Sequence, residues 1–240
     1  MKQLDRTRTL VCLSGGQDSV TCLMEACLTG GAAQTYAVAF NYGQRHAVEL
    51  ACAQKAAEIL GIAGYYALEL PALQQIGDSA LLTGADLNER KDGLPASFVP
   101  GRNIILLAQA AALAYKLNCG SLVAGVSETD YSGYPDCREY TIKFLEAALN
   151  AGMETDLQIV TPLMHKTKAE TWAMAYRYRL PPFDRAERQY GVELIREHTH
   201  TCYRGDRTLR QDWGYGCGQC PACLLRQRGY AEFSARGGLQ

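Results

Sequence analysis

The chain predicts an α/β fold: a parallel sheet with helices on both faces, followed by a small C-terminal region built around four cysteines. Three observations predict it. Short β-rich apolar runs alternate with segments of helical periodicity from Thr9 to about Tyr178. The first run ends in a glycine turn that opens a helix, and the last cysteines stand at metal-ligand spacing. Single cores stop growing near ~250 residues, so a chain of 240 residues suits one large α/β domain over 1–180 and an appendage over 181–240.

Hydrophobic residues make up 48% and charged residues 20% of the chain, the balance of a globular protein. Lys2, Arg6 and Arg8 precede an apolar run too short for a signal peptide or a membrane span, so a soluble, cytoplasmic protein with no membrane partner is expected. The formal net charge of −1 exerts no global pull towards nucleic acid. Charge is uneven, however. From Arg177 onwards eleven arginines and no lysine face seven acids, which leaves open a basic face or an arginine-rich solvated surface.

Thr9 to Leu13 reads as the first strand and Val20 to Leu28 as the helix after it. Between them Ser14-Gly15-Gly16-Gln17-Asp18-Ser19 forms a turn whose glycines leave no β-carbon between the amide groups and an anion. The serines add hydroxyl donors, and the helix N-terminus adds positive potential. There is no Lys after a second glycine and no G-x-G-x-x-G. Ser-Gly-Gly-x-Asp-Ser after a strand instead resembles the pyrophosphate loop of the ATP pyrophosphatases, which cleave ATP to AMP and pyrophosphate while adenylating a substrate oxygen. On that likeness Leu13 to Leu23 (Leu13, Ser14, Gly15, Gly16, Gln17, Asp18, Ser19, Val20, Thr21, Cys22 and Leu23) are expected to surround ATP, with Ser14, Asp18 and Ser19 acting in the reaction.

Thr35 to Phe40 is the second strand, Ala47 to Leu60 a helix stopped by Gly61, and Tyr65 to Leu70 the third strand. Pro71 to Gly101 breaks the pattern, and a loop of that length is usually functional or mobile. It closes on Phe98-Val99-Pro100-Gly101-Arg102-Asn103. Ile104 to Leu117 is apolar until Lys116 and reads as a helix buried against the sheet. Ser121 to Gly125 is the fourth strand. Its carboxyl end opens into polar groups and tyrosines, the placement at which α/β sheets bind ligands. Glu139 to Leu149 continues as a helix and Leu157 to Val160 as a strand. Thr167 and Glu170 have capping-box spacing for a helix from about Lys168 to Tyr178, ended by Pro181-Pro182.

Cys217, Cys220 and Cys223 stand at three-residue steps, and fourteen residues separate Cys202 from Cys217. Four thiolates match a closed tetrahedral zinc site, which leaves no open position for chemistry. An iron–sulfur cluster is the competing reading. His198 and His200 lie near Cys202 and read as surface or supporting residues. The six other cysteines, Cys12, Cys22, Cys27, Cys52, Cys119 and Cys137, read as small core residues.

Taken in order, Phe40 to His46, Phe98 to Asn103, Gly125 to Arg138, Thr161-Pro162-Leu163, and Thr201-Cys202-Tyr203 with the cysteine triplet resemble the 7-cyano-7-deazaguanine synthases of queuosine biosynthesis. The likeness runs from about Leu10 to Leu225. Asn41 stands where that family usually has Asp, and Pro181 to Gly191 and Asp206 to Trp213 are longer than usual. The resemblance implies a Rossmann-like, adenine nucleotide alpha hydrolase-like fold, a homodimer, and ligation of 7-carboxy-7-deazaguanine with ammonium. ATP with Mg2+ would drive the reaction, and the four cysteines would hold Zn2+. Arg102, Asn103, Asp130, Tyr131, Tyr134, Asp136 and Arg138 are the expected substrate contacts, since tyrosine stacks on a heterocycle, an acid pairs with its guanidine-like edge, and Arg takes a carboxylate. Asp18 would orient the loop or a magnesium ion.

Two other readings compete. One keeps the adenylation but joins the deazaguanine carboxylate to an amine of a macromolecule. The other is a zinc-stapled module on tRNA, which the near-neutral charge disfavours. A chain of this length leaves no room for a glutaminase domain, so free ammonium is the expected nitrogen donor.

Overall fold

The computed structural model describes residues 1–43, 48–76, 90–91, 94–95, 98–128, 134–179 and 191–237, with 74, 90–91 and 94–95 described by backbone alone. In chain order β1 (Asp5–Cys12), α1 (Gln17–Gly30), β2 (Thr35–Asn41), α2 (Val48–Leu60) and β3 (Gly64–Glu69) form the first half. A short helix α3 (Ala72–Ile76) and an antiparallel pair, β4 (Arg90–Lys91) and β5 (Leu94–Pro95), follow. Next come α4 (Arg102–Leu117), β6 (Cys119–Val123), α5 (Glu139–Met153), β7 (Gln158–Val160) and α6 (Lys168–Arg177). The chain continues through α7 (Gly191–His198), a small antiparallel pair β8 (Arg210–Gln211) and β9 (Gly214–Tyr215), and α8 (Pro221–Ala235).

The main sheet has the order β3-β2-β1-β6-β7, and every pairing in it is parallel. A parallel sheet needs cover on both faces, and the strands alternate accordingly. Leu10, Val38, Phe40 and Leu122 point into a core with α4 and α5. Val11, Ala37, Ala39 and Val123 point into a second core with α1, α2, α6, α7 and α8. The chain proceeds outwards one way through β1, β2 and β3 and the other way through β6 and β7. The crevice between the carboxyl ends of β1 and β6 is therefore the topological switch point, where sheets of this kind bind ligands.

Several elements differ from the sequence expectation. β1 begins at Asp5, earlier than Thr9, because Asp5 pairs with Cys119 of β6 ahead of an irregularity after which regular pairing resumes at Thr9. The stretch from Pro71 to Gly101 carries α3 and the β4–β5 pair. α6 starts on the predicted capping box, with both reciprocal bonds made between Thr167 and Glu170, and ends at Arg177; Pro181-Pro182 lies outside the described residues. α7 falls in the arginine-rich stretch for which no element is expected from the sequence, yet Val192, Leu194 and Ile195 are buried.

The C-terminal elements share a core with the first 180 residues. Trp172 of α6 meets Tyr230 of α8 edge-on at 5.0 Å between centroids, within the same apolar cluster as α1. Two arginines of this region serve the fold and not an open surface. Arg226 is 1% exposed and donates to the carbonyls of Trp213 (3.1 Å) and Ile195 (2.9 Å). Arg207 donates to the carbonyls of Glu197 and Thr199. Both thereby cap the C-terminal end of α7, where unsatisfied carbonyls and the negative end of the helix dipole favour a cation. Among the described residues no helix is long and apolar enough to cross a membrane.

Candidate active site

The loop from Ser14 to Ser19 lies at the switch point. Gly16 caps α1, and the Ser19 hydroxyl donates to the Gly16 carbonyl (3.1 Å) and accepts from the Ser14 amide (3.2 Å). The two serine hydroxyls are 3.1 Å apart, so they form a paired polar rim at the mouth of the helix. Gly15 has φ +85°, and a Cβ built there would lie 2.1 Å from the Glu49 carbonyl oxygen. Only glycine satisfies both constraints. From the other side β6 presses its exit against the loop: a Cβ on Gly125 would lie 3.2 Å from the Asp18 carbonyl carbon and the Ser19 amide.

Asp18, in the first turn of α1, receives Lys168 Nζ on both carboxylate oxygens at 2.8 and 2.9 Å. Lys168 opens α6, and its side chain is only 9% exposed. This pair joins the loop to an element 150 residues away. The segment before the cysteine cluster closes the loop from above: the His200 amide donates to the Gly15 carbonyl (2.9 Å), and Thr201 Oγ1 accepts Arg226 (3.0 Å) and, at 3.5 Å, the Gln17 amide.

The loop opens into a cavity of about 320 Å³. Ser14, Gly16, Asp18 and Ser19 line it together with Tyr42, Glu49, Arg102, Asn103, Tyr134 and Tyr203. Arg102 is hydrogen-bonded to Tyr42 and lies over the Tyr134 ring at 5.7 Å. Burial opposes its charge, but the facing oxygens of Tyr42, Tyr134 and Asp136 outweigh that and hold the guanidinium above its ordinary value. Burial raises the phenols of Tyr42 and Tyr203, so both stay neutral. Burial also pushes the Glu49 carboxyl up to about 7, against the pull of Arg102. A fixed cation, neutral aromatic donors and an acid near neutrality can together hold a flat, anionic heterocycle beside a phosphate site.

The predicted substrate residues separate into four groups. Arg102, Asn103 and Tyr134 reach the cavity wall. Asp136, 5% exposed, does not line the cavity; its Oδ2 accepts the Asn103 amide at 2.8 Å and so anchors the start of α4. Arg138 is exposed and donates to the Tyr140 hydroxyl (2.9 Å). Asp130 and Tyr131 lie outside the described residues. Of the predicted ATP residues, Leu13 and the loop through Ser19 reach the cavity, apart from Gly15, whose carbonyl is held by His200. Val20, Thr21, Cys22 and Leu23 are buried behind them in α1. Asn41 donates to Glu69 across β2 and β3 (3.2 Å) and accepts the Gly43 amide. An ionised Asp could not make the first of these bonds.

Cys202, Cys217, Cys220 and Cys223 present four sulfurs within 4.8 Å of one another. A tetrahedral zinc site with bonds of about 2.3 Å spaces its sulfurs at about 3.8 Å, and Cys217 and Cys223 are 3.9 Å apart. The amides of Gln219 and Cys220 point at the Cys217 sulfur, each at 3.4 Å. Hydrogen bonds from the Cys223 thiol and from backbone amides lower the Cys220 thiol, while the same bond and burial raise that of Cys223. The donor set fits a metal that takes four thiolates. Cys12, Cys22, Cys27, Cys52, Cys119 and Cys137 are free, and all but Cys12 are buried.

Lys168, Glu49, Tyr203 and Thr201 belong to the site but were not singled out as functional residues from the sequence. Lys168 reads locally as an ordinary first-turn lysine, and Glu49 as an ordinary charge on an amphipathic helix. Tyr203 and Thr201 adjoin a predicted metal ligand, which was the one available signal.

The model of the family described as "Queuosine biosynthesis protein QueC" matches residues 8–234. A 7-cyano-7-deazaguanine synthase of Alkalilimnicola ehrlichii is 51% identical over 236 residues, covering 94% of this chain and 95% of the relative. One of Rhodopseudomonas palustris is 47% identical over 243 residues, covering 98% and 97%. A solved structure described as a predicted subunit of tRNA methyltransferase from Methanocaldococcus jannaschii is similar at TM-score 0.46 and 17% identity, over 79% of this chain and 84% of that one. With a match across nearly the whole chain and identities near one half, the chain belongs to the QueC family of queuosine biosynthesis proteins.

Proposed function

We propose that the protein converts 7-carboxy-7-deazaguanine, ammonium and ATP into 7-cyano-7-deazaguanine, AMP and diphosphate. The observation that carries this reading is the opening of the Ser14–Ser19 loop, at the switch point, into a cavity walled by Arg102 and three tyrosines. A carboxylate is a poor electrophile until one of its oxygens becomes a good leaving group. Its attack on the α-phosphate of ATP forms the acyl adenylate and expels diphosphate. Ammonia displaces AMP to give the amide. The amide oxygen then attacks a second ATP, and loss of AMP with the remaining protons on nitrogen leaves the nitrile. One loop serves both rounds.

Ser14, Gly15, Gly16 and Ser19 hold the phosphates, where fixed donors stabilise the departing charge. Asp18, braced by Lys168, keeps the loop in place, and magnesium enters with the nucleotide. Arg102 takes the substrate carboxylate, Asn103 and Tyr134 contact the base, and Asp136 positions the start of α4. Asp130, Tyr131 and Arg138 complete the substrate set when base is bound. Cys202, Cys217, Cys220 and Cys223 hold zinc, which supplies structure and leaves no coordination position for substrate. Residues 1–180 form the catalytic unit, and 181–240 the zinc-bearing cover over the loop. The protein works in the cytoplasm as a homodimer. Phe144, 74% exposed, lies on α5 one turn from Tyr140, 53% exposed, an apolar surface suited to a second copy.

The test is incubation of the purified protein with the carboxylate, magnesium ATP and ammonium, with nucleotides and base followed by chromatography and mass. AMP and the nitrile are expected, both lost in Ser14→Ala. An amide or a macromolecular adduct as the final product would contradict the reading.

A further inference from the structure

Three charged side chains line the cavity among the described residues, and two have partners. Asp18 is held by Lys168 at 2.8 and 2.9 Å, and Arg102 is bonded to Tyr42. The third, Glu49, has no hydrogen-bond or ion-pair partner among the described residues, and it is half-buried on the cavity lining. A half-buried carboxylate without a partner favours a cation or a proton. Its place is also specific. It stands in the first turn of α2, whose backbone approaches Gly15 so closely that no Cβ fits between them. The Glu49 side chain is therefore carried on the segment that packs against the phosphate loop, beside the region where an acyl adenylate forms.

The reaction proposed above, on which this inference rests, has one small cationic reactant. Ammonium has no lone pair until a proton leaves it, and at neutral pH almost all of it is protonated. We propose that Glu49 is the ammonium-binding site and the acceptor of that proton. One carboxylate oxygen takes the proton, and the freed lone pair on nitrogen forms the C–N bond to the acyl carbon. The bond from that carbon to the AMP oxygen breaks, and AMP leaves with the electron pair; the second proton shed as the amide forms passes to solvent. Among the described residues, the titratable and charged groups facing Glu49 are Arg102 from α4, Tyr42 after β2 and Cys52 from α2 itself. Burial among them places its proton affinity near neutrality, the range in which a base is unprotonated and still attracts a proton.

The experiment compares ammonium with hydroxylamine, a nucleophile already unprotonated at neutral pH, in the wild-type protein and in Glu49→Gln. AMP release and the amide or hydroxamate product are the readouts. With Glu49→Gln, ammonium-dependent turnover should fall about 100-fold or more, the ordinary contribution of a general base, while hydroxylamine-dependent turnover falls far less. The acid limb of the wild-type pH profile with ammonium, near pH 7, should disappear. An equal fall for both amines, or no fall for ammonium, overturns the assignment while leaving the adenylation intact. Wild-type protein that forms no AMP with either amine overturns the underlying reaction and this site with it. If Glu49→Gln does not fold, Glu49→Asp decides: a lower ratio of ammonium to hydroxylamine turnover than wild type is expected, and an unchanged ratio overturns the assignment.

Discussion

Asp18 and Lys168 form the most consequential side-chain pair in the protein. Both oxygens of one carboxylate are bound to an ammonium that is 9% exposed. Removing Asp18 leaves the Lys168 ammonium without compensation, at a cost of about 3 kcal/mol, whereas removing Lys168 leaves a carboxylate that is 30% exposed and costs less. Asp18→Asn should lose about that much in urea unfolding and Lys168→Met less, the double variant should lose less than the sum, and all three should lose ATP–diphosphate exchange. Glu49 gives a pH-dependent prediction. Its folded value of about 7 lies above the ordinary 4.5, so the folded state holds the proton more tightly than the unfolded one. The stability this confers is complete below about pH 4.5 and is lost as pH rises through about 7. Glu49→Gln should therefore gain on the order of 3 kcal/mol over wild type at pH 8 and little at pH 5, read from denaturant midpoints. Ser14, Asp18 and Ser19 were legible because the motif is local. Lys168 and Glu49 were not, because only the fold brings them to the loop.

At the scale of elements, the site depends on close backbone approaches. β6 leaves the sheet at Gly125 against the backbone of Asp18 and Ser19, and neither neighbour is a flexible side-chain end. Gly125→Ala should push the loop aside, raising KM for ATP about tenfold, in line with the ~1–3 kcal/mol of overpacking, with a smaller change in Tm; steady-state kinetics and calorimetry check both. The strand–turn–helix rhythm of β1, α1, β2, α2 and β3 was readable because each element carries its own period. α7 was not. Its eight residues are too few to establish a period, and arginines that cap carbonyls look like solvated charges in a sequence. For the same reason Asp136, expected at the substrate, is seen to hold the Asn103 amide only once β6 and α4 are side by side.

Across the whole molecule, the cysteine cluster and the phosphate loop are mechanically one unit. Cys202 is buried two residues from His200 and one from Thr201, and those two residues contact Gly15, Gln17 and Arg226. With the proposed zinc in place, chelation should therefore lower Tm and also weaken ATP binding; a fall in Tm with unchanged nucleotide affinity, measured by calorimetry, would separate the two. The cysteine spacing indicated a metal, but its mechanical connection to the loop was legible only in three dimensions. The central claim is that one loop adenylates first the acid and then the amide. The most direct test supplies 7-carboxy-7-deazaguanine with both carboxylate oxygens labelled with 18O, together with ATP and ammonium, and weighs the products. The account predicts two AMP per nitrile, each carrying one 18O, and unlabelled diphosphate. One AMP per nitrile, or label appearing in diphosphate or water, would contradict it.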